Sequence, residues 1–216
     1  MNHIVDRHAV IDGHRISIGV HGEGEPVVLL HGTPSSSYIW RDVVPVLTGA
    51  GYRVHVFDLL GYGLSERPRN PDVDTSITGQ VAVLEGLLGE WGLDTFHLVA
   101  HDIDGGIAQR FGVQSTGRVR SLTLIDVVSF DSYPSERTRQ QMADGLDELA
   151  RTPDAEHRAH FRDWLLSTHS DPASFDSAAI PGSELHLIEN CGRFAPEERP
   201  AEVAAALRAF LDAHRG

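Results

Sequence analysis

Residues 95–106 read Thr-Phe-His-Leu-Val-Ala-His-Asp-Ile-Asp-Gly-Gly, and this stretch decides the fold. Residues 95–100 are a short apolar run that ends abruptly in polar residues, and two glycines then open a helical pattern of apolar residues. This order predicts a buried strand, a very tight turn and a helix that runs back along a sheet. Asp102 occupies the turn. Because open α/β sheets place their chemistry at the carboxyl ends of parallel strands, Asp102 is the first candidate for a catalytic side chain.

The rest of the chain extends this unit into alternating strands and helices. Residues 9–13 and 14–20 read as a hairpin joined through Asp12-Gly13, and residues 27–30, 52–58 and 119–128 read as further strands. Helical patterns surround residues 40–47 (Trp40, Val43, Val44 and Leu47 on one side) and residues 203–211. The predicted fold class is α/β, with a mainly parallel sheet and helices on both faces.

A third helix is predicted over residues 75–91. Its apolar residues are spaced by three and four, which predicts one buried stripe of Ile77, Val81, Leu84, Leu88 and Trp91. Gly92 is the expected residue just past its end.

Composition excludes several classes of function. The chain has 216 residues and a net charge of −13, so nucleic acid and anionic membranes are poor partners. The single Cys191 excludes an intrachain disulfide and gives no metal cluster. No signal core or membrane-spanning apolar stretch is visible, so a cytoplasmic location is expected. The expected partner is a small-molecule substrate or ligand, with no cofactor and no metal.

Four stretches, in the same order along the chain, resemble the α/β-hydrolases. Residues 31–34 (His-Gly-Thr-Pro) look like the oxyanion loop, and residues 58–65 match the turn Asp-x-x-Gly-x-Gly-x-Ser. Residues 101–102 look like the nucleophile elbow, and residues 191–194 (Cys-Gly-Arg-Phe) resemble the loop that normally carries the catalytic histidine. By these motifs the chain is most similar to the subgroup with an aspartate nucleophile, which contains epoxide hydrolases and haloalkane dehalogenases.

This resemblance implies a role for each matching residue. Asp102 would attack carbon to form an alkyl-enzyme ester, which a histidine-activated water then hydrolyses. The backbone N–H groups of Thr33 and Ile103 would form the oxyanion hole. His31, Gly32 and His101 would be supporting residues, and for His101 a packed or backbone-bonded role is expected.

The sequence departs from the pattern at the histidine and at the acid. Arg193 stands at the histidine position, and a guanidinium cannot accept a proton from water. Arg193 either forms a salt bridge with Asp102 or faces solvent. Asp126, at the end of a predicted strand, is the candidate acid, and the alternative is that it caps nearby backbone N–H groups.

A further departure from the family pattern is Asp104, because the nucleophile elbow requires a small residue at this position. A larger side chain is expected to strain the turn, and its charge opposes ionisation of Asp102. Replacing Asp104 by glycine should therefore leave the stability unchanged or raise it.

The resemblance divides the chain into core residues 1–130, a shortened helical cap over residues 131–177 and core residues 178–216. A deletion near residues 168–178 would remove one core strand. The last strand, over residues 184–188, is then expected to pair directly beside the strand at 119–128, since an unpaired buried edge leaves backbone groups unsatisfied. If the edges stay bare, a homodimer through them is the alternative.

These expectations define a hydrolase-like protein with an aspartate nucleophile, acting on a small organic electrophile or ester-type substrate and catalytically impaired. The dehalogenase halide clamp and the epoxide-holding cap tyrosines are not matched, so neither specific activity is supported. The alternative, from another class, is a non-catalytic binding or regulatory protein that keeps the pocket. A third interpretation is a non-hydrolytic enzyme that uses the oxyanion loop for proton transfer or lyase chemistry.

Overall fold

A computed structural model describes residues 4–128 and 194–215, together with the separate residues 136, 139, 140, 143, 156, 186, 188 and 191. Within these residues one sheet contains six strands: β1 (Arg7–Ile11), β2 (His14–His21), β3 (Glu25–Leu30), β4 (Tyr52–Phe57), β5 (Phe96–His101) and β6 (Val119–Ile125). Their order across the sheet is β1-β2-β4-β3-β5-β6. β1, β2 and β4 pair antiparallel, and β4, β3, β5 and β6 pair parallel. The predicted fold class is confirmed.

Helices cover both faces of this sheet. They are α1 (Val44–Gly49), α2 (Ile77–Trp91), α3 (Asp104–Gln114), α4 (Ala195–Glu198) and α5 (Pro200–Ala213). Alternate residues of the buried strands face opposite ways, because successive side chains of a strand point to opposite faces. Val28 and Leu30 join the core under α2 and α3, while Val27 and Leu29 join the core under α1 and α5.

Two helix predictions need correction. The predicted helix around residues 40–47 is a 3-10 turn, Ser37–Trp40, followed by the short helix α1, although all four predicted apolar residues are buried. In α2 the buried residues are Gln80, Val83, Leu84, Leu87 and Leu88, whereas Ile77, Val81 and Trp91 are only half-buried.

The stripe of α2 is rotated because Gln80 is buried, which apolar periodicity does not predict. Its side chain accepts the N–H of Leu60 at 3.2 Å and donates to the carbonyl of Leu60 at 2.8 Å, so both of its polar groups are satisfied. Gly92 ends the helix in the left-handed region, at φ 65°, as predicted.

Several expectations fall mostly outside the described residues. In the predicted cap over residues 131–177 only residues 136, 139, 140, 143 and 156 are described, and all are helical. In the predicted strand over residues 184–188 only residues 186 and 188 are described, and neither lies in a strand. The deletion near residues 168–178 lies outside the described residues, so the domain division and the pairing beside β6 stay predictions. In the part of the chain that is described, no helix is both long and apolar enough to cross a bilayer.

The glycines of α2 give a test of its packing. A Cβ at Gly79 would lie 2.1 Å from the backbone oxygen of Asp74, whereas a Cβ at Gly89 would meet nothing within 4 Å. Gly89→Ala should therefore raise the free energy of unfolding by about 0.5–1 kcal/mol, because glycine loses more conformational freedom on folding. Gly79→Ala should lower it by about 1–3 kcal/mol through steric overlap. Urea unfolding of both variants measures the two effects, and equal stabilisation by both would contradict the close contact at Gly79.

Candidate active site

The turn after β5 holds Asp102 in a left-handed backbone conformation, at φ 59°. The Asp102 N–H donates to the carbonyl of Ile125 at 3.2 Å. The Asp102 carbonyl accepts the N–H groups of Gly105 and Val128, both at 3.1 Å. A non-glycine residue in this region costs of order 1–3 kcal/mol, and these hydrogen bonds from α3 and the end of β6 hold it there. The predicted tight turn is confirmed.

Two glycines make room for this turn. A Cβ at Gly32 would lie 2.2 Å from the Cβ of Asp102. A Cβ at Gly105 would lie equally close, 2.2 Å, to the Cβ of Val127. Both distances are far below van der Waals contact, so a side chain at either position would push the neighbouring segment away. The loop after β3 and the segment after β6 can approach the elbow only because these residues are glycine.

The carboxylate of Asp102 is buried, with 2% of its surface exposed, and one of its oxygens is held by the loop after β3. The backbone N–H of Thr33 donates to Asp102 Oδ1 at 2.9 Å. A donor fixed at this oxygen can stabilise negative charge that develops there when a nucleophile adds to the carboxyl carbon. The structure thus brings together Asp102 and Thr33 as predicted. Ile103 is half-buried directly before α3, and its role as the second donor stays a prediction.

His31 fixes the start of the loop after β3, and both of its ring nitrogens are engaged in hydrogen bonds. Its imidazole is fully buried; Nε2 accepts the N–H of Leu59 at 3.0 Å, so Nδ1 carries the proton and donates to the carbonyl of Gly32 at 3.0 Å. Burial lowers the pKa of His31, against smaller opposing effects of the Gly32 carbonyl and the Asp58 carboxylate. The neutral ring joins the ends of β3 and β4.

Asp58 organises the second loop beside the elbow. Its buried carboxylate accepts the N–H of Ser37 at 2.8 Å and the N–H of Leu64 at 2.7 Å. The Ser65 hydroxyl donates to the Asp58 carbonyl at 2.6 Å. These bonds explain why the motif over residues 58–65 begins with aspartate and ends with serine: the two side chains close the turn that follows β4.

Tyr62 is a site residue that the sequence reasoning missed. The Thr33 hydroxyl donates to its phenol oxygen at 3.2 Å, and its ring meets His31 edge-on, with the ring centroids 5.9 Å apart. Tyr62 therefore contacts Thr33, whose backbone N–H donates to Asp102. Its place between Gly61 and Gly63 could have indicated this role. A bulky aromatic side chain in a tight turn next to the site points away from the turn.

The structure shows an unfavourable feature at Asp104 other than the predicted strain. Its backbone lies outside the left-handed region, which among the described non-glycine residues holds Asp12, Asp102 and Asp126, so the strain expected from its side chain stays a prediction. The unfavourable feature is burial. Its carboxyl group is fully buried, and neither oxygen has a hydrogen-bond partner among the described residues. Burial alone raises the pKa of Asp104 well above its ordinary value, because the ionised form of the carboxyl group is poorly solvated there.

Asp126 follows β6, but its side chain does not cap the backbone. It has φ 48° and is exposed, and it makes no hydrogen bond to another residue in the described ranges. Partial burial of the carboxyl group, and then the nearby Glu198 carboxylate, raise the pKa of Asp126 to about 6. Capping of backbone N–H groups by Asp126 is thus not seen among the described residues, and its role as the acid stays a prediction.

Phe194 lies beside the residue that precedes the elbow. The ring of Phe194 lies 5.7 Å from that of His101, the residue before Asp102. His101 is fully buried, as its predicted packed role requires. Arg193 lies outside the described residues, so neither its salt bridge with Asp102 nor its exposure to solvent is tested. Among the residues that are described, no three metal-ligating side chains converge.

The sequence of this chain is similar to those of known proteins. Residues 25–175 match the profile of a family described as alpha/beta hydrolase fold. The mesoderm-specific transcript homolog protein of Bos taurus is 40% identical over 116 residues, which are 50% of this chain and 34% of that protein. The soluble epoxide hydrolase of Corynebacterium sp. (strain C12) is 34% identical over 137 residues, 61% of this chain and 46% of that enzyme. The chain thus spans less than half the length of these curated relatives.

A solved structure extends the likeness to three dimensions. The crystal structure of an alpha/beta hydrolase fold protein from Burkholderia ambifaria superposes with a TM-score of 0.67 and 34% sequence identity. The superposition covers 76% of this chain and 60% of that chain.

The raised pKa of Asp104 predicts a pH-dependent stability. The unfolded chain releases this proton near its ordinary pKa of about 4, whereas the folded chain releases it only at higher pH, so rising pH favours the unfolded state. Asp104→Ala removes this cost. It should stabilise the protein more at pH 8 than at pH 4, where it relieves only the burial of an unpaired polar group, worth roughly 1–3 kcal/mol.

Urea unfolding at the two pH values measures the difference. Asp72→Ala, which removes an exposed carboxylate, is the matched control and should change the stability equally little at both. A larger gain for Asp104→Ala at pH 4 than at pH 8 would show that Asp104 is ionised in the folded chain.

Proposed function

The chain belongs to the alpha/beta hydrolase fold family, and within it we propose that Asp102 is a nucleophile that forms a covalent ester with a small organic electrophile. We further propose that hydrolysis of this ester is impaired. The observation that carries the proposal is the buried carboxylate at the elbow, with Oδ1 held by the Thr33 N–H at 2.9 Å.

The first half-reaction needs little beyond this carboxylate. With an alkyl halide, the second oxygen of Asp102 attacks carbon, the carbon–halogen bond breaks and the halide leaves with the bonding electrons. The product is an ester between Asp102 and the alkyl group. Oδ1 becomes the carbonyl oxygen of that ester and keeps the hydrogen bond from Thr33. No proton has to be transferred in this step.

The second half-reaction needs a base. Hydrolysis begins when water, losing a proton, attacks the ester carbonyl and places negative charge on Oδ1, where the Thr33 N–H stabilises it. A positioned base is worth typically about 10²–10⁴-fold in such a step. His31 is buried with both nitrogens engaged, and Arg193 stands where the resemblance requires a histidine. These residues support a slow or absent second step.

The relatives support the same chemical class without fixing the substrate. One of them is named a soluble epoxide hydrolase, and the likeness to this chain covers 46% of that enzyme. An epoxide or an alkyl halide is therefore the first electrophile to examine. The competing function is a binding protein that keeps the pocket without chemistry, and the presence of Arg193 at the histidine position favours it.

Intact-mass measurement after incubation with an alkyl halide and with an epoxide tests the proposal. We expect one added alkyl group per chain, located on Asp102 by peptide mapping. Asp102→Ala should abolish the label, and Asp72→Ala, which removes an exposed carboxylate, should leave it unchanged. Label on other residues only, or no label with several electrophiles, would support the binding protein instead.

A second variant separates alkylation from hydrolysis. Arg193→His should leave labelling intact and release the label faster, by about 10²-fold or more if the new imidazole is well placed. Asp126→Asn in the same background should reduce that gain if Asp126 orients the imidazole. Repeated turnover by the unmodified chain would contradict the impairment.

A further inference from the structure

A groove lies at the amino ends of the parallel strands, at the opposite end of the sheet from Asp102. It has a volume of about 430 Å³ and is lined by Arg7, Val20, Gly22, Glu23, Gly24 and Arg53. We name it the arginine groove. None of these residues belongs to the motifs of the elbow or its loops.

The strand register places the two arginines on the same face of the sheet. Arg7 on β1 pairs with Ile18 of β2, and Ile18 pairs with Phe57 of β4. Arg53 is four residues before Phe57, so its side chain points to the same face. Ile18 and Phe57 belong to the core under α2. The arginine groove therefore continues the α2 face beyond the edge of that core.

One wall of the groove is tightly packed against the sheet. Gly24 has φ 112°, and a Cβ there would lie 2.1 Å from the carbonyl oxygen of Gly51. The turn between β2 and β3 thus sits against the residues that precede β4. This wall is held in place before any ligand binds, which reduces the ordering cost of binding.

The charges of the groove are unusual for this chain, whose net charge is −13. Arg53 is exposed and has no ion pair with another described residue. The Arg7 guanidinium lies 3.6 Å from the Asp6 carboxylate, but both side chains are mostly exposed, so this pair is weak. Glu23 is the acidic residue of the lining. Arg7 and Arg53 therefore both line one groove, and neither has a strong ion pair with another described residue.

A buried histidine lies beside the groove and lacks partners. His55 pairs with Val20 of the lining, its ring lies 4.8 Å from that of Trp91, and it is fully buried. Neither of its ring nitrogens has a hydrogen-bond partner among the described residues. Burial, and then the charges of Arg53 and Arg7, lower the pKa of His55 to about 4. The positive charges of both arginines thus contribute to the lowered pKa of His55.

We propose that the arginine groove binds a phosphate group, free or carried by a small metabolite, between the guanidinium groups of Arg7 and Arg53. Guanidinium forks match phosphate oxygens in paired hydrogen bonds. Phosphate also offers more oxygens than a carboxylate, so that both arginines can bind the same group. The site is separate from the elbow and does not depend on the nucleophile proposed there.

Titration with inorganic phosphate, followed by NMR of the His55 ring C–H signals, tests this site. We expect a saturable shift and a rise in the pKa of His55, because the anion offsets the two positive charges. Arg53→Gln and Arg7→Gln should each weaken binding about tenfold or more, the loss of a hydrogen bond to a charged group. Arg208→Gln, which removes an exposed arginine from α5, is the matched control and should leave the affinity unchanged.

A parallel titration with glycerol phosphate separates the two sources of the group. Tighter binding of the ester than of inorganic phosphate would identify a phosphorylated metabolite, and equal or weaker binding would identify free phosphate. A non-saturable response, or an unchanged affinity in variants whose urea unfolding shows them to be folded, would overturn the proposal.

Discussion

Gly32 and Asp102 lie closer than any residue with a side chain at position 32 would allow, with only 2.2 Å between the Asp102 Cβ and the place of a Cβ at Gly32. This approach brings the Thr33 N–H to 2.9 Å from Oδ1. The left-handed backbone of Asp102 is unfavourable by itself, and the hydrogen bonds of its N–H and carbonyl to α3 and to the end of β6 compensate for it. The geometry of the carboxylate therefore depends on packing between loops more than on the turn alone.

Two further side chains keep those loops in place. His31 satisfies the backbone between β3 and β4 as a neutral ring, and the Asp58 carboxylate receives two backbone N–H groups from the segments on either side. Buried polar groups of this kind are costly only when they are left unpaired, and these are paired. Their role is to position Thr33, and substitutions at either residue would act on the site through the loop backbone.

Asp104 shows the opposite situation one turn further on. Its carboxyl group is buried without a hydrogen-bond partner among the described residues, and burial raises its pKa because the ionised form is penalised. A raised pKa at Asp104 weakens the repulsion that a second carboxylate would exert on Asp102. The unfavourable burial of the Asp104 carboxyl group lowers the stability of the fold. Positions that lower stability while leaving a site intact are common around functional residues.

The sequence by itself determined the fold class, the strand–turn–helix unit and the place of Asp102, because alternating apolar runs and glycines act locally along the chain. Only the tertiary structure decided the buried face of α2, where Gln80 pairs with Leu60, and the position of Tyr62 against Thr33. It also decided the burial of the Asp104 carboxyl group. Each of these depends on partners far away in the chain, so burial and hydrogen bonding at these residues cannot be deduced from local pattern.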